Sequence, residues 1–537
     1  MSKYRSNLDW KTQYNSNKQG YANPLELYPF LRKETVAGTV NVPQCGTQGV
    51  STSGATPSVD LSAETEDKFN INVDGTGVLE ITISNASLTT GDLIAVELET
   101  KINTALATAN YDVRVWCDYS SAVYHVYSQT TGTLSSVVIT PATSDDVASL
   151  LKLGVGNAGI ETVGTDSDDW IYITKAGVNF SQEYAETAHR SGRQASSIYK
   201  KKKMAEGSME MYVLLGESGG DIYMPSGLKT ILLSAFGNQS VDENNTAVYD
   251  MKQPHSTTFT LLTANNVFGQ VTNGCYIKTF SLECAGDDAA KISMDIKARD
   301  SKVSIPAKIL TSSTGASIAV VVGQEQNFEV GSSVMIVDTD GRTVVAGATG
   351  SLAVTGINTT THLVALNASV VATATGYLVP YYPIFGYNIP ADNAQISTDL
   401  SGSVSFDNGA TVVDTVTSFS VKIDPQLTDL DNYYGEDGNR GFVDGSKTAI
   451  TVSVVLHLTA EQGNLILKAK RFFEFDMKMI VGFLDNQKMV IECPRVVFKV
   501  PSVEIPENGA VEVTLEGSAL QTRAGALDAI KCTYINA

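Results

Sequence analysis

The sequence predicts a mainly β protein with a minor α component: two β-sandwich or barrel modules, each with one amphipathic helix, and two small inserted domains. Three observations predict it. Charged residues make up only 18% of the chain while Gly, Ser, Thr and Val are abundant, which favours sheets and turns over surface helices. Apolar and polar side chains alternate with period 2 in several stretches, the mark of strands with one buried face. Two of those stretches also echo one another. Around Ile277 the chain reads I-K-T-F-S-L-E-C, then a short turn, then I-S-M-D-I. Over 416–458 it reads V-T-S-F-S-V-K-I, a long acidic loop, then I-T-V-S-V-V-L. Phe280 and Phe419 head matching Phe-Ser steps, so two copies of one module are expected.

Length and charge narrow the field. A chain of 537 residues exceeds one core and should divide into three or four domains. Hydrophobic residues at 43% are enough for packed cores. With 38 basic against 58 acidic residues the net charge is −20, which repels nucleic acid and anionic membranes and excludes an ordinary nucleic-acid binder. The start, M-S-K-Y-R-S-N-L-D-W, has no apolar signal region, and no apolar run reaches 18 residues, so neither export by a signal peptide nor membrane insertion is expected. The six cysteines are scattered without a C-x-x-C and read as small buried hydrophobes in a reducing compartment.

Taken in order, residues 1–58 form an N-terminal arm and the start of the first module; they are polar, Tyr-rich and without periodicity. Residues 59–160 form an inserted α+β domain. It opens with a hairpin turning at Asp74-Gly75 and continues with a helix in which Leu93, Ile94, Leu98, Ile102 and Leu106 recur at helical spacing. Strands at 113–117 and 122–128, V-V-I-T, and a short helix ending in L-L-K-L-G complete it. Through I-N-V-D-G, the middle helix and that closing segment, this insert resembles the small hook-like domain of flagellins and many phage tail proteins.

The first module spans 161–304. Strands at 170–173 and 208–215 flank a polar region, and Pro225 opens a helix with Leu228, Ile231, Leu232, Ala235 and Phe236 on one face, stopped by Gly237. Strands follow at 257–263, 274–284 and 290–298. Residues 305–380 read as a second, small inserted β domain with hardly a charge. The second module takes 381–537. Thr459 and Gln462 form a capping box for a helix whose buried side is Leu465, Ile466 and Phe472. Strands are expected at 475–484, 488–493, 496–504 and 510–516.

Motifs that resemble chemistry have better structural readings. Gly154, Gly156 and Gly159 match the dinucleotide fingerprint, but a helix precedes and a strand follows them, the reverse of what a pyrophosphate requires. Gly216, Ser218 and Gly220 match a nucleophile elbow, yet no helix starts at once and no Asp-then-His pair follows; a Gly-rich hairpin turn fits better. Glu183, Glu186 and His189 would line one face of a helix, but a second set of metal ligands is missing. The acidic loop with Asp429, Asp431, Glu436 and Asp437 lacks the glycine and final Glu of an EF-hand. The basic run at 200–203 reads as a solvated turn, or as a contact to an acidic neighbouring copy. No catalytic residue, metal or cofactor is called for, and the chain is not expected to be an enzyme.

The stretches G-S-M-E-M-Y-V-L, P-S-G-L-K-T-I-L-L-S-A-F-G and N-G-C-Y-I-K-T-F-S-L-E-C, with L-S-G-S-V-S-F, T-S-F-S-V-K-I-D and V-D-G-S-K-T-A-I-T-V-S-V in the second half, resemble the tail tube protein of long-tailed, siphovirus-like bacteriophages. That resemblance implies a structural virion protein made in the bacterial host cytoplasm. Its rings stack into a tube that conducts DNA without binding it specifically, away from any membrane. It also implies contacts with the tape measure protein, the tail terminator and tail-tip proteins. Six module positions make a ring in that family, so two modules per chain imply trimeric, pseudo-hexameric rings; hexameric rings are the alternative. The inserts would decorate the outside. The acidic composition agrees, because Lys and Arg contacts to phosphate would arrest a passing duplex. The long loop over 427–444 carries the candidate joint between rings or subunits: Asp429, Asp431, Tyr433, Tyr434, Glu436, Arg440 and Phe442, with the aromatic residues as anchors. A surface adhesin or receptor-binding β protein is the runner-up, and a polysaccharide-cleaving enzyme would need paired carboxylates in a groove.

Overall fold

The computed structural model describes residues 28–35, 47–111, 113–130, 135–164, 173–187, 197–215, 217–218, 221–222, 226–243, 246–251, 255–264, 268–285, 289–339, 344–346, 352–381, 395–396, 402–406, 411–429, 442–444, 447–459, 463–484, 487–501, 511–521 and 529–536. It is mainly β.

The chain enters through β1 (Tyr28–Lys33). Just beyond it, Glu34 is buried and fully satisfied: its carboxylate accepts from Thr258 Oγ1 at 2.7 Å, Thr260 Oγ1 at 3.0 Å and the Gly274 amide at 2.7 Å. A buried carboxylate without such donors would cost several kcal/mol, so these bonds pin the arm to the module.

A separately cored unit follows. Its strands are β2 (Val50–Thr52), β3 (Lys68–Val73), β4 (Leu79–Thr82), β5 (Val115–Ser120), β6 (Val123–Ser128), β7 (Val137–Pro141) and β8 (Ile160–Thr162), with α1 (Gly91–Thr108) and α2 (Ala148–Leu151). Thr90 caps α1 by accepting from the Leu93 amide at 3.4 Å. Ile94, Leu98, Ile102 and Leu106 face the core as their spacing predicts, but Leu93 is exposed: one residue outside the i, i+4 stripe turns it to solvent. Side chains of α1 also cap the free edge of β5. Asn103 bonds both the N–H and C=O of Val115 at 2.9 Å, and Glu99 accepts from the Cys117 amide at 3.0 Å, so that edge cannot recruit another strand. The unit begins upstream of residue 59, because β2 pairs with both β6 and β8. Three residues are too few to show a period, so the sequence alone leaves this strand in the arm.

The next stretch holds β9 (Ile173–Thr187), β10 (Ser197–Tyr212), the short β11 (Leu214–Leu215), β12 (Glu217–Ser218) and β13 (Asp221–Ile222), then α3 (Ser226–Phe236). It continues with β14 (Asn238–Glu243), β15 (Thr246–Asp250), β16 (Phe259–Ala264), β17 (Gly269–Ala285), β18 (Lys291–Ala298) and β19 (Asp300–Ser304). The polar region at 174–207 is thus largely a long antiparallel hairpin. A register shift between Lys200 and Lys203 breaks the alternation that would have announced it, and it places the basic run in a strand rather than a turn. Leu228, Ile231, Leu232, Ala235 and Phe236 are all buried, and Gly237 at φ +92° ends the helix in the left-handed region as expected.

A small all-β unit interrupts here: β20 (Ala307–Lys308), β21 (Ser317–Ala319), β22 (Ser333–Val337), β23 (Val344–Ala346), β24 (Leu352–Asn358), β25 (Leu363–Leu366) and β26 (Tyr377–Pro380), around Val334, Ile336, Val354 and Leu378.

The last part supplies β27 (Gln395–Ile396), β28 (Gly402–Phe406), β29 (Thr411–Val413), β30 (Val416–Asp424), β31 (Leu427–Asp429), β32 (Phe442–Asp444) and β33 (Ala449–His457). Then come α4 (Gly463–Lys470), β34 (Glu474–Leu484), β35 (Gln487–Phe498), β36 (Glu512–Ala519) and β37 (Lys531–Asn536). The strands expected at 488–493 and 496–504 join in one, β35, which ends at Phe498 and is carried through Pro494 by a bulge, Met477 facing Cys493 while Phe475 faces Val496; residues 502–504 lie outside the described residues. Helix α4 stops at Lys470, so Leu465 is buried but Phe472, expected on the same side, is exposed beyond the helix end.

The two halves repeat one antiparallel pairing scheme. The order β9–β10–β18–β17 is matched by β30–β33–β36–β35. The pair β1–β16 is matched by β28–β34, β19 on β17 by β37 on β35, and α3 by α4. They share a single core, with Phe236 edge-on to Phe280 and with Phe406, Phe475 and Phe498 mutually edge-on. The halves join directly: the end of β17 pairs with β30, placing Phe280 opposite Ile423 and Cys284 opposite Phe419. The Phe280 and Phe419 echo therefore marks neighbours across the joint, not equivalent positions. Both strands bury alternate residues in the same core, and that common demand produced the likeness.

Candidate functional site

Strands β10, β18, β17, β30, β33 and β36 form one continuous sheet whose inner face is apolar and whose outer face is not. Alternation puts Met209, Met294, Phe280, Leu282, Val421, Val452 and Leu515 into the core. The opposite set, including Ser208, Ser281, Ser293, Ser420, Thr451, Ser453 and Thr514, lines a single shallow trough. Register makes this a grid. One row runs Glu210, Ser293, Ser281, Lys422, Thr451, Ser518; the next runs Tyr212, Lys291, Glu283, Ser420, Ser453, Glu516. The grid crosses the joint between the halves without a break.

Its chemistry is that of a smooth, mildly acidic wall. Hydroxyls dominate, and Thr279 Oγ1 donates to Asp295 at 2.6 Å. Glu210, Glu283, Asp295 and Glu516 outnumber the lysines, of which Lys297 pairs with Glu206 at 3.0 Å and Lys291 lies over the Tyr212 ring at 5.9 Å. No Arg or Trp stands among the residues lining the trough, so it lacks the guanidinium and aromatic platforms that hold phosphates and bases.

The sheet also has an open edge. Strand β30 is paired on both sides, by β17 and β33. Its counterpart β9 is paired with β10, and among the described residues no strand covers its other edge.

Most of the site residues named from sequence lie outside the described residues: Asp431, Tyr433, Tyr434, Glu436 and Arg440 all do. Asp429 ends β31, which pairs with β32 at the base of the loop. Phe442 packs within its own chain, its ring centroid 4.3 Å from that of buried Tyr276. That fixes one end of the loop to the first module.

The motifs with a chemical look resolve into structure. Gly154, at φ +83°, and Gly159 serve a tight turn between α2 and β8, where a Cβ on Gly154 would strike the Ile139 carbonyl. Ser218 lies in the hairpin β12–β13. Glu183 and Glu186 sit on strand β9 and not on a helix, so the single helical face expected of them is not formed; His189 is outside the described residues. Among the described residues there is no cluster fit to hold a metal, and no helix is long and apolar enough to cross a membrane. No disulfide joins the described cysteines, and burial pushes the thiols of Cys493 and Cys532 up to about 12, far from a nucleophile's range.

Sequence reasoning missed the polar grid and the β9 edge. The signal was present in S-M-E-M-Y, K-I-S-M-D-I-K and T-V-S-V-V, where hydroxyl or charged residues occupy the outer positions.

Residues 157–351 match the family model described as Phage tail tube protein. No curated protein matches the chain. The matched segment takes in β9 to β19, the half of the continuous sheet that carries the open edge. Over those residues the chain is similar to phage tail tube proteins, which supports the resemblance read from its sequence.

Proposed function

We propose that the protein polymerises into stacked rings that form the DNA-conducting channel of the phage tail, with three chains in each ring and the polar grid facing the lumen. The observation that carries this is the pairing of β17 with β30 at one side of the first half, together with the edge of β9 at its other side, which no described strand covers. The joint within the chain is a template for the joint between chains. Sequence supplies the missing half: F-S-L-E-C at 280–284, the strand segment that takes β30, recurs as P-S-V-E-I at 501–505, just past the equivalent point of β35. That segment of one copy pairs with β9 of the next, and three copies close the sheet without leaving an edge. A hydroxyl-rich, acidic lumen lets a polyanion slide.

The loop around Tyr433 and Tyr434 belongs to the same reading. With its base held by Phe442, it reaches an adjoining subunit, where the two tyrosines dock and Arg440 pairs across the joint. Tape measure, terminator and tail-tip proteins are the further partners, and the virion is the location. Negative-stain microscopy of the purified protein tests the whole: hollow, salt-resistant tubes are expected, and soluble particles that bind glycans would point to an adhesin instead. Replacing Tyr433 and Tyr434 together with Ala should leave a folded protein that forms no long tubes; unimpaired tubes would remove the loop from the joint.

A further inference from the structure

An apolar patch lies open where α4 runs into β34. Phe472 is 63% exposed, Phe473 52% and Leu467 53%. Val500 at 53% and Leu520 at 39% share that end of the module. Glu474, next to Phe473, faces Val497 in the ladder, and the Arg495 guanidinium holds Glu474 at 2.8 Å while the Arg495 carbonyl accepts from the Leu520 amide. Lys470 and Arg471 are exposed beside the aromatic pair.

The repeat shows what such an end looks like when covered. In the first half the helix ends at buried Phe236, glycine takes the left-handed position after it, and the hairpin β14–β15 packs against the helix. Beyond the matching point of its long strand, β17 is covered by β30 of the second half. In the second half the helix leads straight into β34. Here Phe472 takes the left-handed position at φ +55°, a conformation that a residue with a Cβ adopts only under strain. A strained backbone that presents an aromatic ring to water is out of place in a monomer. It makes sense where the ring is received by something else.

We propose that Phe472, Phe473 and Leu467 form a docking surface for a second copy of this chain, with Lys470 and Arg471 as its cationic rim. This rests on the self-assembly proposed above and names residues that make it. Two arguments choose the occupant. Val500, at the edge of the patch, lies just beyond β35, the counterpart of β17, whose end is taken by β30 of the next module; the next module beyond the second half belongs to another copy. A cationic rim on a chain of net charge −20 is also complementary to the rest of that chain's surface.

Phe472→Gly gives a test of unusual sign. Glycine relieves the left-handed strain, so the dilute, dissociated variant should melt at the parent's temperature or above it. Its assembly, followed by sedimentation and light scattering, should need at least tenfold more protein, and Phe473→Ser should do the same without raising the melting temperature. If the parent assembles and Phe472→Gly assembles equally well, the docking surface is wrong while the tube reading stands. If the parent stays monomeric at every concentration, self-assembly itself is wrong and the docking surface with it.

Discussion

At the scale of single residues, Asp74 turns the first hairpin with φ +54°, followed by Gly75 at +69°, a pair of left-handed residues as the Asp-Gly turn requires. The sequence announced that turn but not its burial. Its carboxylate accepts from Ser128 Oγ at 2.9 Å, Thr130 Oγ1 at 2.7 Å and the Ser136 amide at 2.9 Å, tying three segments of the inserted unit together. Desolvation nonetheless outweighs these bonds and raises its pKa from 3.8 to about 6. The folded state thus holds the proton more tightly than the unfolded chain. From this group, stability is greatest below pH 3.8, falls as pH rises towards 6, and stays lower above it, by about 3 kcal/mol. Asp74→Asn keeps an oxygen for the Ser136 amide and tolerates the left-handed backbone. It should therefore remove the part of the insert's melting-temperature change between pH 4.5 and 7.5 that Asp74 causes, measured by calorimetry against the parent. An unchanged pH profile in the variant would mean Asp74 is not the titrating group. Leu93 and Phe472 show the opposite limit of legibility: hydropathy marked both as core, and only the position of a helix stripe and a helix end turned them outward.

At the scale of elements, long unbroken periods were readable and broken ones were not. Helices α1 and α3 and strands β17, β18, β30 and β33 stand where their periods put them, because each buries one face against a core. The hairpin β9–β10 is hard to read from sequence because its register shifts between Lys200 and Lys203, partway along. That hairpin matters most for the proposed ring, since β9 is the edge that receives the neighbour. Val503 lies in the segment proposed to pair with it. Proline there would remove the amide donor that the proposed pairing needs, so Val503→Pro should leave the melting temperature within about 1 °C of the parent and abolish tubes. A variant that unfolds would show that the segment is already part of the monomer's own sheet.

At the scale of the whole molecule, the duplication was legible and its geometry was not. The repeated Phe-Ser rhythm at Phe280 and Phe419 drew attention to the right strands, although they proved to be adjacent rather than equivalent. What the pairing scheme adds is direction: a sheet that passes from one half to the next within the chain, with one side hydroxyl-rich and acidic and the other in the core. A structure that repeats twice and ends on an open edge invites closure by more copies of itself. The central claim is that one chain fills two positions of a pseudo-six-fold ring. A helical reconstruction of assembled tubes by electron cryomicroscopy tests it most directly. Three chains per ring, with β9 of each paired to the 501–505 segment of its neighbour, is the expected result; six chains per ring would contradict it and place one half of the sheet off the tube wall.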